Sequence, residues 1–254
     1  MELYHNRMSV CSEKVRIVMA EKGLTATEYH LDLAAGESHT PEYLTLNAKG
    51  VVPTLVDHGK AINESTAICE YLDDAYPELR LRPEDPYARA QMRLWTMMPD
   101  AGLHVWCGIV SFAIMWRHQD RTQQMAKWSP QLRAERMEAI EKGLNAARVA
   151  PALRNHVDVF RKMGKALETS PWLTGDTYSL ADIAMLPYVY RFADMALAWI
   201  WEEDPEMKPI DDWLERCRQR RGFAGIRDYH DENVVADMMR YGAESKGKVA
   251  ELLA

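Results

Sequence analysis

Over the first eighty residues, short stretches of two different hydrophobic periods alternate. Met1 to Tyr4 has the length and pattern of a strand. Cys11, Val15 and Val18 recur at helical spacing through residues 10–22, and Gly23 follows as a stop. From Thr27 to Leu33, Tyr29, Leu31 and Leu33 alternate with His30 and Asp32, the period of a strand. Thr40-Pro41-Glu42 reads as an N-cap with proline in the first turn, opening a short helix to about Asn47. Val51 to Ile62 predicts two strands around an Asp57-His58-Gly59-Lys60 turn, with Pro53 ahead of the first strand, where a missing N–H costs least. Ile68, Tyr71, Leu72 and Ala75 then form an i, i+3, i+4, i+7 stripe that ends at Tyr76-Pro77. The predicted order is βαβ–α–ββα, an α/β unit over residues 1–78.

Residues 77–86 carry Pro77, Pro83 and Pro86 among charged side chains, the composition of a linker. Beyond it the period is helical throughout. Helices are expected over 87–118, about 129–168, 179–201 and 209–221, with a kink at Pro99 and a helical ending to the tail. Ser179 and Asp182 are spaced for a capping box, with Tyr178 and Ile183 placed for a hydrophobic staple. Residues 87–254 are therefore read as an all-helical bundle domain, and the fold class as α/β plus all-α.

Composition narrows the function. Hydrophobic residues make up 47% of the 254, ordinary for a globular chain, and no apolar run suggests the roughly 18 residues of a membrane span. Met1-Glu2-Leu3-Tyr4-His5 lacks the basic start and apolar core of a signal peptide, so a cytoplasmic location with no membrane partner is expected. A net charge of −7 argues against a nucleic-acid partner. The cluster Arg216, Arg218, Arg220 and Arg221 reads first as a helix end placing cations against its own dipole, with anion binding as the alternative. Cys11, Cys69, Cys107 and Cys217 are widely spaced, which excludes C-x-x-C chemistry and leaves no metal site.

Three motifs carry more information. They are Ser9-Val10-Cys11-Ser12 at the first helix start, Val51-Val52-Pro53 before the third strand, and Asn63-Glu64-Ser65-Thr66 at the next helix start. In this order and spacing they resemble the glutathione transferase superfamily. The resemblance covers the first ninety residues well and the helical domain loosely, through Trp172-Leu173-Thr174-Gly175-Asp176 and Ser179 to Ile183. It implies a thioredoxin-like first domain, a helical second domain that binds an electrophile, glutathione as co-substrate, and a homodimer with residues 65–76 and 87–98 near the contact.

The resemblance also implies roles for particular residues. Glu64 would pair with the γ-glutamyl ammonium, and Ser65 with its helix-start amides would hold the adjacent carboxylate. A cis bond before Pro53 would present the Val52 backbone to the cysteinyl residue, and His39 and Lys49 are candidates for the glycyl carboxylate. A free thiol has a pKa near about 8.5, and lowering it by two units takes roughly 2.7 kcal/mol. One hydrogen bond to a charged group supplies about 1.5–3 kcal/mol. Ser9 or Ser12 would suffice, with Ser9 preferred. Cys11 is the competing nucleophile, as in reductase-type members, but it also begins the apolar stripe of its helix, and packing is its expected role.

The electrophile side is expected on the kinked helix, which carries Trp95, Met97, Met98, His104, Trp106, Phe112, Met115 and Trp116. Eight Trp and fifteen Met in the chain suit a large, adaptable apolar surface for an aromatic substrate. Within the superfamily the chain resembles the F-type bacterial lignin β-etherases, through Asn47 to Pro53, Glu64 to Leu72, and Leu81 through Thr96. It departs from that group at Ser9, where glycine is expected, and through its C-terminal third. The alternatives are a non-catalytic glutathione-binding protein and a thiol reductase using Cys11.

Overall fold

The computed structural model describes residues 1–254, the side chain of Glu135 excepted. Strands β1 (Glu2–His5), β2 (Thr27–His30), β3 (Thr54–Asp57) and β4 (Lys60–Asn63) form one mixed sheet in the order β2-β1-β3-β4. β1 runs parallel to β2, with Leu3 opposite Glu28, and antiparallel to β3, with Leu3 opposite Leu55. Helices α1 (Val10–Lys22), α2 (Pro41–Leu46) and α3 (Ser65–Ala75) complete the thioredoxin-like unit. Leu3, Ile17, Val18, Leu55, Ile68 and Leu72 are fully buried where the sheet, α1 and α3 meet.

The second unit contains α4 (Pro86–Met98), α5 (His104–Ile114), α6 (Thr122–Lys127), α7 (Pro130–Lys142), α8 (Val149–Leu167), α9 (Leu180–Asp194), α10 (Trp199–Glu202), α11 (Pro209–Arg218), α12 (Ala224–Arg227) and α13 (Glu232–Leu253). Its core centres on α8 and α9, where Phe160, Tyr188, Phe192, Trp201 and Trp213 are fully buried. The expected break at Pro99 is a wide helical turn over Pro99–Leu103. The Ser179 box is formed, and Asp182 does more than cap. Its carboxylate accepts from Ser179 N at 3.0 Å, Leu173 N at 3.0 Å and Trp213 Nε1 at 2.9 Å.

Four expectations need correction. β2 stops at His30 and buries neither face, because Asp32 Oδ1 accepts from the amides of Ala34 and Ala35 and turns the chain out of the sheet. The 129–168 helix breaks at Gly143, whose φ of 56° suits glycine and where a Cβ would run into the Arg117 guanidinium. The 179–201 helix breaks after Asp194, with Ala196 at φ 52°. Finally, the helical stretch 86–114 does contain an 18-residue window of mean hydropathy 1.3, apolar enough to span a membrane by composition. Half of that window is buried inside the protein, and the turn at Pro99–Leu103 interrupts it.

The two units are clamped together through α1, which packs against α9 and α12. Glu21, buried on α1, receives two bonds of 2.8 Å from Arg220 and one of 3.2 Å from Gly222 N. Arg220 also lies over Tyr178, at 3.9 Å. Arg216 donates to Pro171 O, and Arg218 pairs with Glu215. The basic cluster is thus partly spent on internal contacts, the most buried of which joins the units.

Candidate functional site

A cleft of about 910 Å³ opens between the units. Residues 6–10 form one wall, ahead of α1 and at its start; the segment from Ser38 to Val52 forms the second; and α5 to α7 form the third. The first wall is held by buried arginines. Arg16 donates to Asn6 O, Arg7 O and Gly225 O, and Arg191 donates to Met8 O at 2.6 Å. Asn6 adds a bond to Leu31 O and accepts from Met8 N, so the loop entering α1 is fixed at both ends.

Ser9 is the N-cap of α1, and its Oγ accepts from Ser12 N at 3.3 Å. A capping hydroxyl uses an oxygen lone pair and keeps its proton for donation. Ser9 lines the cleft. Ser12 does not, being fully buried with its Oγ turned to Asn6 N.

On the second wall His39, Lys49 and Val52 line the cleft. The peptide bond between Val52 and Pro53 is cis, as the motif implied. Gly50, at φ 61°, lies so close under the His39 ring that a Cβ would overlap it. Lys49 Nζ meets Glu64 Oε1 at 2.5 Å, which ties Glu64 to a residue of the cleft wall. Glu64 itself sits at φ 68°, ψ 112°, a costly conformation for a residue with a side chain and one that concentrates at functional sites. Ser65, the first residue of α3, is buried.

Two models of one family match this chain: the N-terminal glutathione S-transferase domain over residues 8–75 and the C-terminal domain over 132–231. The chain belongs to the glutathione S-transferase superfamily. Glutathione is its co-substrate. Protein LigF of Sphingobium sp. strain SYK-6 is 39% identical over 109 residues, 42% of each chain. The crystal structure of that β-etherase superposes with a TM-score of 0.76 at 25% identity, covering 90% of this chain and 97% of LigF. Maleylacetoacetate isomerase of Pseudomonas aeruginosa is 29% identical over 207 residues, 78% of this chain and 86% of its own. The glutathione-bound theta class transferase of Xanthomonas axonopodis pv. citri gives a TM-score of 0.66 at 27% identity, covering 89% of this chain and 96% of that one.

In this transferase Cys11 does more than pack. Its Sγ lies 3.5 Å from His104 Nδ1, and Tyr188 Oη lies 3.5 Å from the same nitrogen. Burial raises the thiol pKa, but the His104 imidazole and the Lys14 ammonium outweigh it, so the thiol is pulled down to about 6. Cys69 and Cys107 are pushed up by burial, to about 12 and about 11.

The electrophile wall differs in part from expectation. His104, Phe112 and Trp116 line the cleft. Trp95, Met97, Met98, Trp106 and Met115 do not: Met115 is core, Met97 is 59% exposed, and Trp106 packs over Gly102. Trp128, from a segment with no expected element, takes their place. Arg121, Arg136 and Arg191 also line this wall, and none was anticipated. Their signal in the sequence is faint, because arginines scattered over separate segments are ordinarily surface residues.

Proposed function

We propose that the protein delivers the thiolate of glutathione to an aromatic electrophile held against α5 and α7. The observation that carries this reading is Ser9, whose capping hydroxyl is on a residue that lines the same cleft as the Lys49–Val52 segment and as Phe112 and Trp116. The Ser9 O–H donates to the sulfur and favours thiolate over thiol, while the positive end of α1 adds to the same preference. Val52 pairs with the cysteinyl backbone. Glu64 exchanges Lys49 for the γ-glutamyl ammonium, which releases Lys49 to join His39 at the glycyl carboxylate. Ser65 and the first amides of α3 take the γ-glutamyl carboxylate.

Similarity to LigF supports a β-aryl ether ketone as electrophile. The sulfur attacks the carbon beside the carbonyl, the C–S bond forms as the C–O bond breaks, and the aryloxide leaves and takes a proton from water. The adjacent carbonyl activates that carbon, so the protein's part is orientation and supply of thiolate. Turnover of glutathione with an aryl ether ketone and with an aryl halide tests the reading. Conjugation of either with release of the leaving group supports it, and absence of both with tight glutathione binding favours a ligand-binding protein.

The Cys11–His104 contact favours one second reading, a thiol reductase. Cys11 would take the glutathionyl group from a mixed disulfide and release the target thiol. A glutathione thiolate would then restore Cys11, giving glutathione disulfide. Reduction of a glutathionylated peptide that is lost in Cys11→Ser, with ether cleavage absent, would establish it.

A further inference from the structure

Although the chain carries a net charge of −7, the electrophile side of its cleft is cationic. Arg121 lies over aromatic rings, with its guanidinium carbon 4.5 Å from the Trp116 centroid and 5.7 Å from that of Phe112. Arg136 lies over Phe112 and Trp128 at 4.9 and 5.6 Å, and Arg191 over Trp116 at 5.6 Å. Stacking holds a guanidinium plane while leaving its N–H edge for a planar acceptor.

The bonds of Arg121 go to neutral groups. It donates to Gln124 Oε1 and Gln119 Oε1, each at 2.8 Å, and among the described residues it has no carboxylate partner. Its Nε is buried with no acceptor. Arg191 also has a buried Nε without an acceptor, but its charge is paired with Glu13 at 3.6 Å, so Arg121 is the less satisfied of the two. An orphaned charged donor in an apolar setting is costly unless something else completes it. Burial, and then the charges of Arg136 and Arg191, pull Arg121 down to about 10 against the opposing pull of Asp32, which lines the same cleft without pairing with it. An isolated surface arginine would show none of this.

We propose that this arginine–aromatic wall is a subsite for a carboxylate carried by the electrophile, so that the enzyme takes anionic aryl substrates in preference to neutral ones. The inference rests on the transferase reading and names its substrate class. The carboxylate meets the N–H edge of Arg121, and the aryl ring lies along Val105, Ile109 and Leu132, which line the same cleft. Gln119 and Gln124 each hold one terminal nitrogen of the guanidinium, which fixes its plane and leaves further N–H groups on those nitrogens for the ligand. The other carboxylates available are those of glutathione itself, and the test separates the two sources.

The protein is saturated with S-methylglutathione, which cannot react. Binding of a chloronitrobenzoate and of the matching chloronitrobenzamide is then followed by tryptophan quenching. The benzoate should bind about tenfold or more tightly than the benzamide, as a charge-assisted bond requires. Arg121→Gln should erase that preference while the glutathione Kd stays unchanged, and Arg121→Lys should keep part of it. Equal binding of the two probes by the unaltered protein overturns the proposal, with no variant needed. So does an Arg121→Gln protein that retains the preference, or one whose loss falls on glutathione instead. Turnover of the two probes with glutathione is recorded separately. If neither is conjugated and an aryl ether ketone is not cleaved either, the transferase reading fails, while the binding preference still decides the subsite.

Discussion

The Sγ of Cys11 stands 3.5 Å from Nδ1 of His104, a thiol–imidazole contact that joins the first helix of the thioredoxin-like unit to the helical one. Both groups lie at helix starts, Cys11 in the first turn of α1 and His104 as the first residue of α5. The partial positive charge of a helix start favours the thiolate.

A reactivity profile follows. Alkylation of Cys11 by iodoacetamide should be half-maximal near pH 6, the value to which His104 draws the thiol, rather than near the free-thiol value of about 8.5. With the imidazole removed, burial remains and only the Lys14 ammonium opposes it, so His104→Ala should move the midpoint up toward the free-thiol value of about 8.5. Cys69, Cys107 and Cys217, all raised by burial, should stay unmodified at neutral pH. Mass spectrometry of labelled peptides reads each site, and a midpoint at or above the free-thiol value in the unaltered protein contradicts the contact's effect.

Glu64→Ala should weaken glutathione binding by about 1–3 kcal/mol, the cost of leaving the ligand's ammonium unpaired. Calorimetry measures it directly. Because Lys49, once released from Glu64, holds the glycyl carboxylate, Lys49→Ala should also weaken binding, but without changing the pKa of the bound thiol.

Most of the architecture was legible because each element carries its own local signal. Thr40 and Ser179 cap their helices as their spacing predicts, and His58-Gly59 turns the β3–β4 hairpin with both residues at positive φ. The points where elements break were less legible, whether a local turn or a tertiary contact sets them. β2 ends where Asp32 captures two amides, and α7 and α8 part where Arg117 crowds Gly143. The glutathione side was readable through short motifs. The electrophile side was not, because Trp128, Arg121, Arg136 and Arg191 come from separate segments that only the packed bundle brings together.

Asp182 should be the most sensitive single position in the helical unit. It is fully buried and accepts from three groups, two of them backbone amides. Asp182→Ala leaves those donors unsatisfied and should cost about 3 kcal/mol or more, since each orphaned buried donor costs about 1–3 kcal/mol. Chemical denaturation measures the loss, and a change below about 1 kcal/mol would mean that the donors find other partners.

α4 presents Tyr87, Leu94 and Met97 to solvent at 73%, 56% and 59%, and Leu79 in the preceding segment is 42% exposed. An apolar face of this kind on the expected dimer contact should be covered by a second copy. Light scattering at micromolar concentration should give twice the 29.2 kDa chain mass, and Leu94→Lys with Met97→Lys should shift it toward a single chain. A single-chain mass for the unaltered protein would show that this face does not pair.

The central claim is that the Ser9 hydroxyl makes bound glutathione a thiolate. Ser9→Ala removes both that donor and the cap of α1, whose loss alone costs about 1 kcal/mol of stability. Ser9→Gly retains most of the capping preference and removes only the hydroxyl, so it separates the two effects. The decisive measurement is the ultraviolet thiolate absorbance of bound glutathione against pH in the unaltered protein, Ser9→Gly and Ser12→Ala. The account predicts a bound-thiol pKa well below about 8.5 in the unaltered protein, raised by up to about two units in Ser9→Gly and nearly unmoved in Ser12→Ala. A titration that shifts in Ser12→Ala and not in Ser9→Gly, or in neither, would contradict it.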